Sequence, residues 1–510
     1  MRAARAVFAA LLLCAPSARA YNEAIHAFLT LRAFGQRTSW LAEELPAPAP
    51  SGVDAFRALF YREAAARSAQ FREHFPSLDR FDAWEMKRYF MLNPKAQVHG
   101  FDPVDLRPMK RGDLLALASR WPDDDERNRY RFHHDEKREV VRAPDGSILP
   151  EDPASLDFGG LTGTTSQGHA HYGLVEGPLS DDPEVLKKEP RRFAIPKTAH
   201  AYGAELAQLY TDLALLAAAS DLPGGEWLAT CFAGAAFHHI EDVGNQIHTV
   251  QVGFYDFFRD AFLQSKLRDV VTLGGVLGAR RSLKQIGLRL VANHHLFSED
   301  LFAKRVLEVT SGASGSPEVR DAIAGLDRDD PALVAEAGRR LARTPATFGS
   351  DLTQAVIELS SPEGAEVYRL AYALSAKTLR RGGGHEYDGA KGDDPDAYLA
   401  PPSPERDRAL SDFYALEGKG LRRAATALRI WEARFERAWR GPSAEVRDGA
   451  VLRSVTFLDD YQRKAAERRT RYQPEREEQS RIAWGYPIGA VALVAIAVVL
   501  FARTRRRDVS

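Results

Sequence analysis

Ten of the 14 histidines fall between His133 and His295, several of them in pairs, and acids recur beside them at helical spacing. In the run Phe237-His238-His239-Ile240-Glu241-Asp242-Val243-Gly244-Asn245-Gln246-Ile247-His248, a helix places His238 and Asp242 one turn apart on one face. Gly244 and Asn245 then end or distort that helix and let His248 turn back toward the same face. An imidazole and a carboxylate at i and i+4, with a third donor just beyond, suit Zn²⁺. A His–Asp hydrogen bond inside a helix bundle satisfies the same spacing. A second segment, Asn293-His294-His295-Leu296-Phe297-Ser298-Glu299, sets His295 and Glu299 at i and i+4 again. One such pair also fits a solvated helix face, whereas two pairs on helices that pack together point to a shared cation.

A third element depends on where the mature chain begins. Met1-Arg-Ala-Ala-Arg, an apolar run from Ala6 to Ala15 and then Ala18-Arg19-Ala20 have the form of a secretory leader cleaved after Ala20. A lipoprotein leader with Cys14 as the acylated residue competes, but Leu13 is a poor residue before that cysteine. Cleavage makes Tyr21 the first residue, and its free amine and carbonyl can chelate a metal, with His26 five residues on. It also leaves Cys231 as the only thiol, which excludes an intrachain disulfide.

His238, Asp242 and His248, then His295 and Glu299, behind a processed N-terminus with His26 nearby, resemble the zinc-dependent phospholipase C/S1-P1 nuclease superfamily. The resemblance covers residues 21 to about 304, with three separated pieces agreeing in order and residue type. It implies an all-helical domain that holds up to three Zn²⁺ in a cleft and hydrolyses phosphoesters. Carried over position by position, His238 and Asp242 join an upstream Asp and His at one zinc. Tyr21 and His26 share a second with the bridging Asp242. His248, His295 and Glu299 hold the third. For the upstream pair, Trp121-Pro122-Asp123 resembles the family's Trp-x-Asp, which makes Asp123 the candidate general base as well as a ligand. His169, in Gly168-His169-Ala170-His171-Tyr172, resembles the family's His-aromatic-aromatic segment but lacks the Asp-Pro that follows it there. Asp157 competes with Asp123, and His133, His134 and His171 compete with His169. His239 and His294 point off the ligand face and read as packing or supporting residues. His74, His99, His200 and His385 read as satisfied or solvated.

The two branches of the superfamily are both represented. Glu299 as the last carboxylate resembles the phospholipases, where the nucleases have Asp. The gap from Tyr21 to His26 and the Trp121-Pro122-Asp123 run resemble the nucleases. No basic-aromatic stripe of the kind that tracks single-stranded nucleic acid stands out. The preferred expectation is phospholipase C-like phosphodiester hydrolysis on a phospholipid headgroup. A single-strand nuclease is the alternative, and a catalytically silent zinc-binding surface protein is a third reading from another class. Tyr21 stands where the family has Trp, the interval from His248 to His295 is long, and residues from about Val306 to Arg481 match nothing in the family.

The elements that must hold these residues read as helices. Ala201–Ser220 is rich in Ala and Leu, with apolar residues recurring at three and four, until Leu222-Pro223-Gly224-Gly225 breaks it. Glu226–Asp242, Leu283–Thr310, Asp351–Leu379 and Pro404–Leu458 share that character, and alternating β-type runs are scarce. Loops are expected at Pro46–Ser51, Arg142–Gly168, Ser311–Pro317 and Arg381–Pro404. The predicted fold class is all-α: a multi-helix phospholipase C/P1 nuclease-like domain over 21–304, a further helical region over 305–461, and a charged stalk over 462–481. An apolar stretch over 482–502, long enough to span a bilayer, precedes Arg503-Thr504-Arg505-Arg506-Arg507. With a leader at 1–20 and the basic tail 503–510 held inside, the expectation is a single-pass protein whose large domain lies outside the cytoplasm.

The chain's 510 residues carry 69 basic and 70 acidic side chains, which excludes a nucleic-acid-coating protein. That balance belongs partly to the ends. Without the three leader arginines, and the four arginines and one aspartate of the tail, 62 basic and 69 acidic groups remain, a net charge of −7. Bound zinc would place positive charge where the histidines gather and a phosphate must dock.

Overall fold

A computed structural model describes residues 23–35, 37–46, 50–83, 108–120, 122, 192–194, 203–249, 252–254, 294, 296–313, 315–375, 394–440 and 446–460. Helix accounts for 82% of these residues, which makes the described chain all-α. Helix α1 spans Glu23–Ala33 and the short α2 Thr38–Leu41, followed by α3 (Pro50–Arg67), α4 (Ala69–His74), α5 (Leu78–Ala83) and α6 (Arg111–Ala118). The central pair is α7 (Gly203–Ala218) and α8 (Gly225–Asp242). After them come α9 (296–311), α10 (Pro317–Ala324), α11 (Pro331–Arg343), α12 (Phe348–Leu374), α13 (Pro404–Arg440) and α14 (446–460). The strands are two antiparallel pairs: β1 (Glu44–Leu45) with β2 (Met109–Lys110), and β3 (Arg192–Ala194) with β4 (Val252–Phe254).

Helices α7 and α8 are buried on nearly every face, as sequences rich in apolar residues all round and without Lys or Arg require. The break between them is where the sequence put it. Gly224 has φ 79°, a left-handed conformation that glycine adopts without strain, and a Cβ on Gly225 would lie 2.8 Å from the Ala217 carbonyl oxygen. The antiparallel pair therefore closes through a turn that only small residues fit. The helical pattern from Pro404 to Leu458 is divided into α13 and α14, with Gly441-Pro442 in the interval between them, outside the described residues. Pro50, expected in a loop, opens α3; proline suits a first helical turn, where its missing N–H costs no hydrogen bond.

Two apolar clusters organise the packing. One joins Phe34, Phe56, Phe60, Trp227, Phe232 and Phe237 to Leu341, Phe348, Trp431 and Val455. The other joins Ile25, Leu29, Ile247 and Phe297 to Val306, Val367, Phe413 and Leu421. Both clusters draw on residues before and after 304, and that boundary falls inside the continuous helix α9. Helices α12 and α13 are thus built into the cores that carry α1 and α8. No helix among the described residues is long and apolar enough to cross a membrane; the leader, the stalk, residues 482–502 and the basic tail lie outside the described residues.

One buried ion pair ties α14 to this core. Asp212 on α7 is 1% exposed and accepts hydrogen bonds from Arg453, at 2.5 Å from Nη2 and 3.1 Å from Nε. Burial pushes its carboxyl up to about 6 from an ordinary 3.8, outweighing the opposing pull of Arg453. A pKa raised by folding means that the folded state binds the extra proton between about pH 4 and about pH 6. Stability contributed by this group is therefore greatest below pH 4 and declines as pH rises through that window. Asp212→Asn removes the titration, so the stability of the wild type relative to the variant should fall by roughly 2–3 kcal/mol from pH 4 to pH 6.5. Urea unfolding at a series of pH values reads this directly, and parallel profiles for the two proteins would contradict it.

Candidate metal centre

The centre is assembled where the two apolar clusters meet. His26 sits on α1 between Ile25 of one cluster and the turn that leads to Phe34 of the other. His238 and Asp242 occupy the last turn of α8, which ends at Asp242. The chain then reverses as its sequence predicts. Asn245 N–H donates to the Asp242 carbonyl at 3.0 Å, Ile247 N–H to Asn245 Oδ1 at 3.3 Å, and His248 N–H to the Asn245 carbonyl at 3.0 Å. This Asx-type turn leads into a 3-10 turn, Gln246–Thr249, that presents His248 back to α8.

The side chains converge in a fully buried space. His26, His238 and Asp242 are each 0% exposed and His248 is 1%. Asp242 Oδ2 lies 3.0 Å from His238 Nε2, and Oδ1 lies 3.4 Å from His26 Nε2 and 3.7 Å from His248 Nδ1. His248 Nε2 is 3.0 Å from Glu299 Oε1 on α9. The carboxylate of Asp242 is therefore shared by three imidazoles, and His248 links it to Glu299.

Hydrogen bonding on the far side of two rings sets their near side. His238 Nδ1 is 2.8 Å from the Ser119 carbonyl oxygen, which can only accept, so Nδ1 carries the proton. His26 Nδ1 is 2.7 Å from Glu241 Oε2, and Thr30 Oγ1 donates to the other oxygen of Glu241 at 2.7 Å. A neutral ring with its proton on Nδ1 turns the Nε2 lone pair toward Asp242; the Ser119 carbonyl imposes this on His238, and an ionised Glu241 imposes it on His26. The rings stack with centroids 4.3 Å apart, a separation at which two imidazolium charges would repel. His26, His238 and Asp242 thus bring three donor atoms within 4.8 Å of one another in a group that could hold a metal ion. Imidazole with carboxylate suits Zn²⁺ and other borderline divalent ions.

The approach of α6 to α8 that delivers the Ser119 carbonyl depends on Gly234. A Cβ there would stand 2.5 Å from Ala118 Cβ and 2.9 Å from the Leu115 carbonyl oxygen. On the other side of α8, His239 stacks on Tyr210 with centroids 5.6 Å apart. His294 meets Ser375 Oγ at 2.9 Å and packs on Tyr372. Both point away from the centre. His74 pairs with Asp459 at 3.4 Å near the surface. Tyr21, Asp123, His169 and His295 lie outside the described residues, as do Asp157, His99, His133, His134, His171, His200 and His385.

Glu241 and Ser119 take part without having been singled out in the sequence, and Asn245, read there only as a helix end, also reaches Glu299. Glu241 is 0% exposed, and burial holds its carboxyl above the usual range against the opposing hydrogen bonds from His26 and Thr30. The clue was an acid adjacent to Asp242 together with His26 and Thr30 one turn apart on α1. Asn245 Nδ2 donates to Glu299 Oε1 at 3.1 Å, fixing the carboxylate that faces His248. A carboxylate behind a ligating imidazole orients the ring and raises its basicity. Glu241→Gln keeps an acceptor for His26, faces Thr30 with an NH₂ group that the Thr30 hydroxyl must turn to accept, and removes the charge. It should leave the fold intact and weaken metal affinity about 10- to 100-fold, measured by competition with a chromogenic chelator. Wild-type affinity would show that Glu241 only fills space.

Comparison of the chain with protein families, with curated proteins and with solved structures returns no match.

Proposed function

We propose that the protein is a zinc-dependent phosphodiester hydrolase acting on phospholipid headgroups. The observation that carries this reading is the buried His26–His238–Asp242 group, with His238 Nδ1 on the Ser119 carbonyl, His26 Nδ1 on Glu241 and both Nε2 atoms turned toward one carboxylate. The donor set fits Zn²⁺ in residue type. His26, His238 and Asp242, joined by His248 and Glu299, would hold the metal, with Tyr21, Asp123, His169 and His295 as the remaining proposed ligands. Zinc would supply Lewis acidity toward a phosphate and make water acidic enough to react near neutral pH.

The chain's own groups divide the other tasks. Asp242 ties the two sides of the centre together, Glu241 and the Ser119 carbonyl orient the two imidazoles, and Asn245 orients Glu299. Asp123 is proposed as the base that takes a proton from the attacking water. The lipid reading is preferred because Glu299 supplies the last carboxylate and because residues 482–502 would tether the domain beside a bilayer, outside the cytoplasm. The Trp121-Pro122-Asp123 run favours the second reading, single-strand nuclease.

Elemental analysis of the natively processed protein is the first test, with two or more zinc ions per chain expected and a value well below two opposing the reading. Phosphatidylcholine and single-stranded DNA hydrolysis, measured side by side with and without chelator, then separate the branches. Zinc content without chelator-sensitive hydrolysis of either substrate would favour a silent zinc-binding surface protein.

A further inference from the structure

We infer that the cavity among α2, α6, α8 and α13 is a binding site for a small organic ammonium ion that carries an aromatic ring. The cavity has a volume of about 330 Å³, the scale at which small-molecule pockets begin, and helix bundles place such pockets between their helices. The sequence accounts for the space. Ala229 and Ala233 stand one turn apart on α8 and line the cavity with side chains too short to fill it. Trp431 and Phe435, one turn apart on α13, stack with centroids 4.6 Å apart and form another wall. Phe34 and Phe237 complete an aromatic interior whose side chains are buried. None of His26, His238, Asp242, His248 and Glu299 lines it, so the site is separate from the metal centre.

The charged groups that line the same cavity select the ligand. Arg111 is buried, and its Nη2 lies 2.7 Å from Glu43 Oε2 and 3.3 Å from Glu226 Oε2. Arg37 pairs with Glu432 and Glu436. Both guanidiniums also stand 4.7 Å from the centre of the Trp40 ring, within cation–π range. Each arginine is thus already held by two carboxylates and an indole, and an anion would have to displace one of these partners to reach it. A cation displaces nothing. Glu43 and Glu226 are half exposed, and each meets Arg111 through one oxygen only. The lining therefore brings four carboxylates against two guanidiniums. An ammonium group can sit beside the half-exposed pair while its ring enters between the buried aromatics, where edge and offset contacts add to the burial of apolar surface. A bare metal ion would leave that interior empty.

The test uses the full, natively processed protein and three probes with one ring and a similar chain: phenethylammonium, phenethyl alcohol and phenylpropionate. Binding is followed by NMR titration of the probe's ring signals. The cation should bind about tenfold or more tightly than the alcohol, because a hydrogen bond to a charged group is worth about that much, and the anion should bind most weakly. Glu226→Lys changes a half-exposed position and leaves Glu43 to pair with Arg111. It should weaken the cation by about tenfold or more and leave the alcohol unchanged. Ala229→Met fills the interior and should remove binding of cation and alcohol alike; if that variant does not fold, the Glu226→Lys affinities decide alone. Three results would overturn the assignment: no saturable binding of phenethylammonium, an anion bound as tightly as the cation, or equal cation affinity in the wild type and Glu226→Lys.

Discussion

Asp242→Asn should abolish zinc binding at the shared carboxylate and lower phosphodiester hydrolysis by about 10³-fold or more. Its two oxygens face His26, His238 and His248 within 3.7 Å, so no other side chain can take over its position. Asparagine keeps the shape but offers a neutral oxygen and an NH₂ group, and the NH₂ would direct its hydrogens at imidazole lone pairs that should face a cation. Losing one source of transition-state charge stabilisation is worth several kcal/mol, and each 1.4 kcal/mol is about tenfold in rate. The measurement that decides is the chelator-induced change in Tm. A metal centre predicts a large drop for the wild type and none for the variant. Equal shifts in both proteins would mean that Asp242 is only a hydrogen-bond partner of His238.

Gly420→Ala should destabilise the protein by about 2–4 kcal/mol, the reverse of what alanine does in an unconstrained helix. Gly420 lies on α13 against the turn that follows α8, and a Cβ there would overlap the Gly244 carbonyl and press on Gln246 Cγ. Gly244 cannot retreat, since a Cβ at its own position would already crowd Ala424 Cβ at 2.7 Å and the Glu241 carbonyl at 2.8 Å. The overlap must push α13 away from Asp242 and His248, so zinc affinity should fall along with Tm. Gly338 on α11 supplies the control, because nothing lies within 4 Å of where its Cβ would be. Gly338→Ala should raise stability by up to about 1 kcal/mol through helix propensity alone. Two Gly→Ala changes with the same sign would contradict the close approach of α13 to the turn.

Local features of this protein were legible in its sequence, and features created by distant crossings were not. The Ala/Leu run of α7, the Gly224-Gly225 break and the spacing of His238, Asp242 and His248 are set within one or two turns of chain, where periodicity speaks directly. His26 is named from its closeness to the expected mature N-terminus and through the resemblance, but nothing near it in sequence marks it as a partner of Asp242. Glu241 looked like one more acid in an acidic run; its role follows from the angle at which α1 crosses α8. Glu417 sits in Leu416-Glu417-Gly418-Lys419-Gly420, which reads as an exposed turn of a long charged helix. Its burial follows from the two glycines just after it. A Cβ on Gly418 would stand 2.6 Å from Ala322 Cβ, and Gly420 meets Gly244, so α13 is gripped on two sides. Two glycines inside a helix, both within three residues after an acid, were the signal available in the sequence.

The distribution of the centre along the chain also has a kinetic consequence. His26 precedes Asp242 by more than two hundred residues, and Glu299 and Gln246's contact with Leu416 reach still further toward the C-terminus. Contacts of such sequence separation form slowly, because long loops must close before any of them stabilises the chain. The proposed ligand set is thus complete only once these distant segments have met. An ion held there would act as a cross-link among segments that would otherwise separate first, and would slow escape from the native state for as long as it stayed.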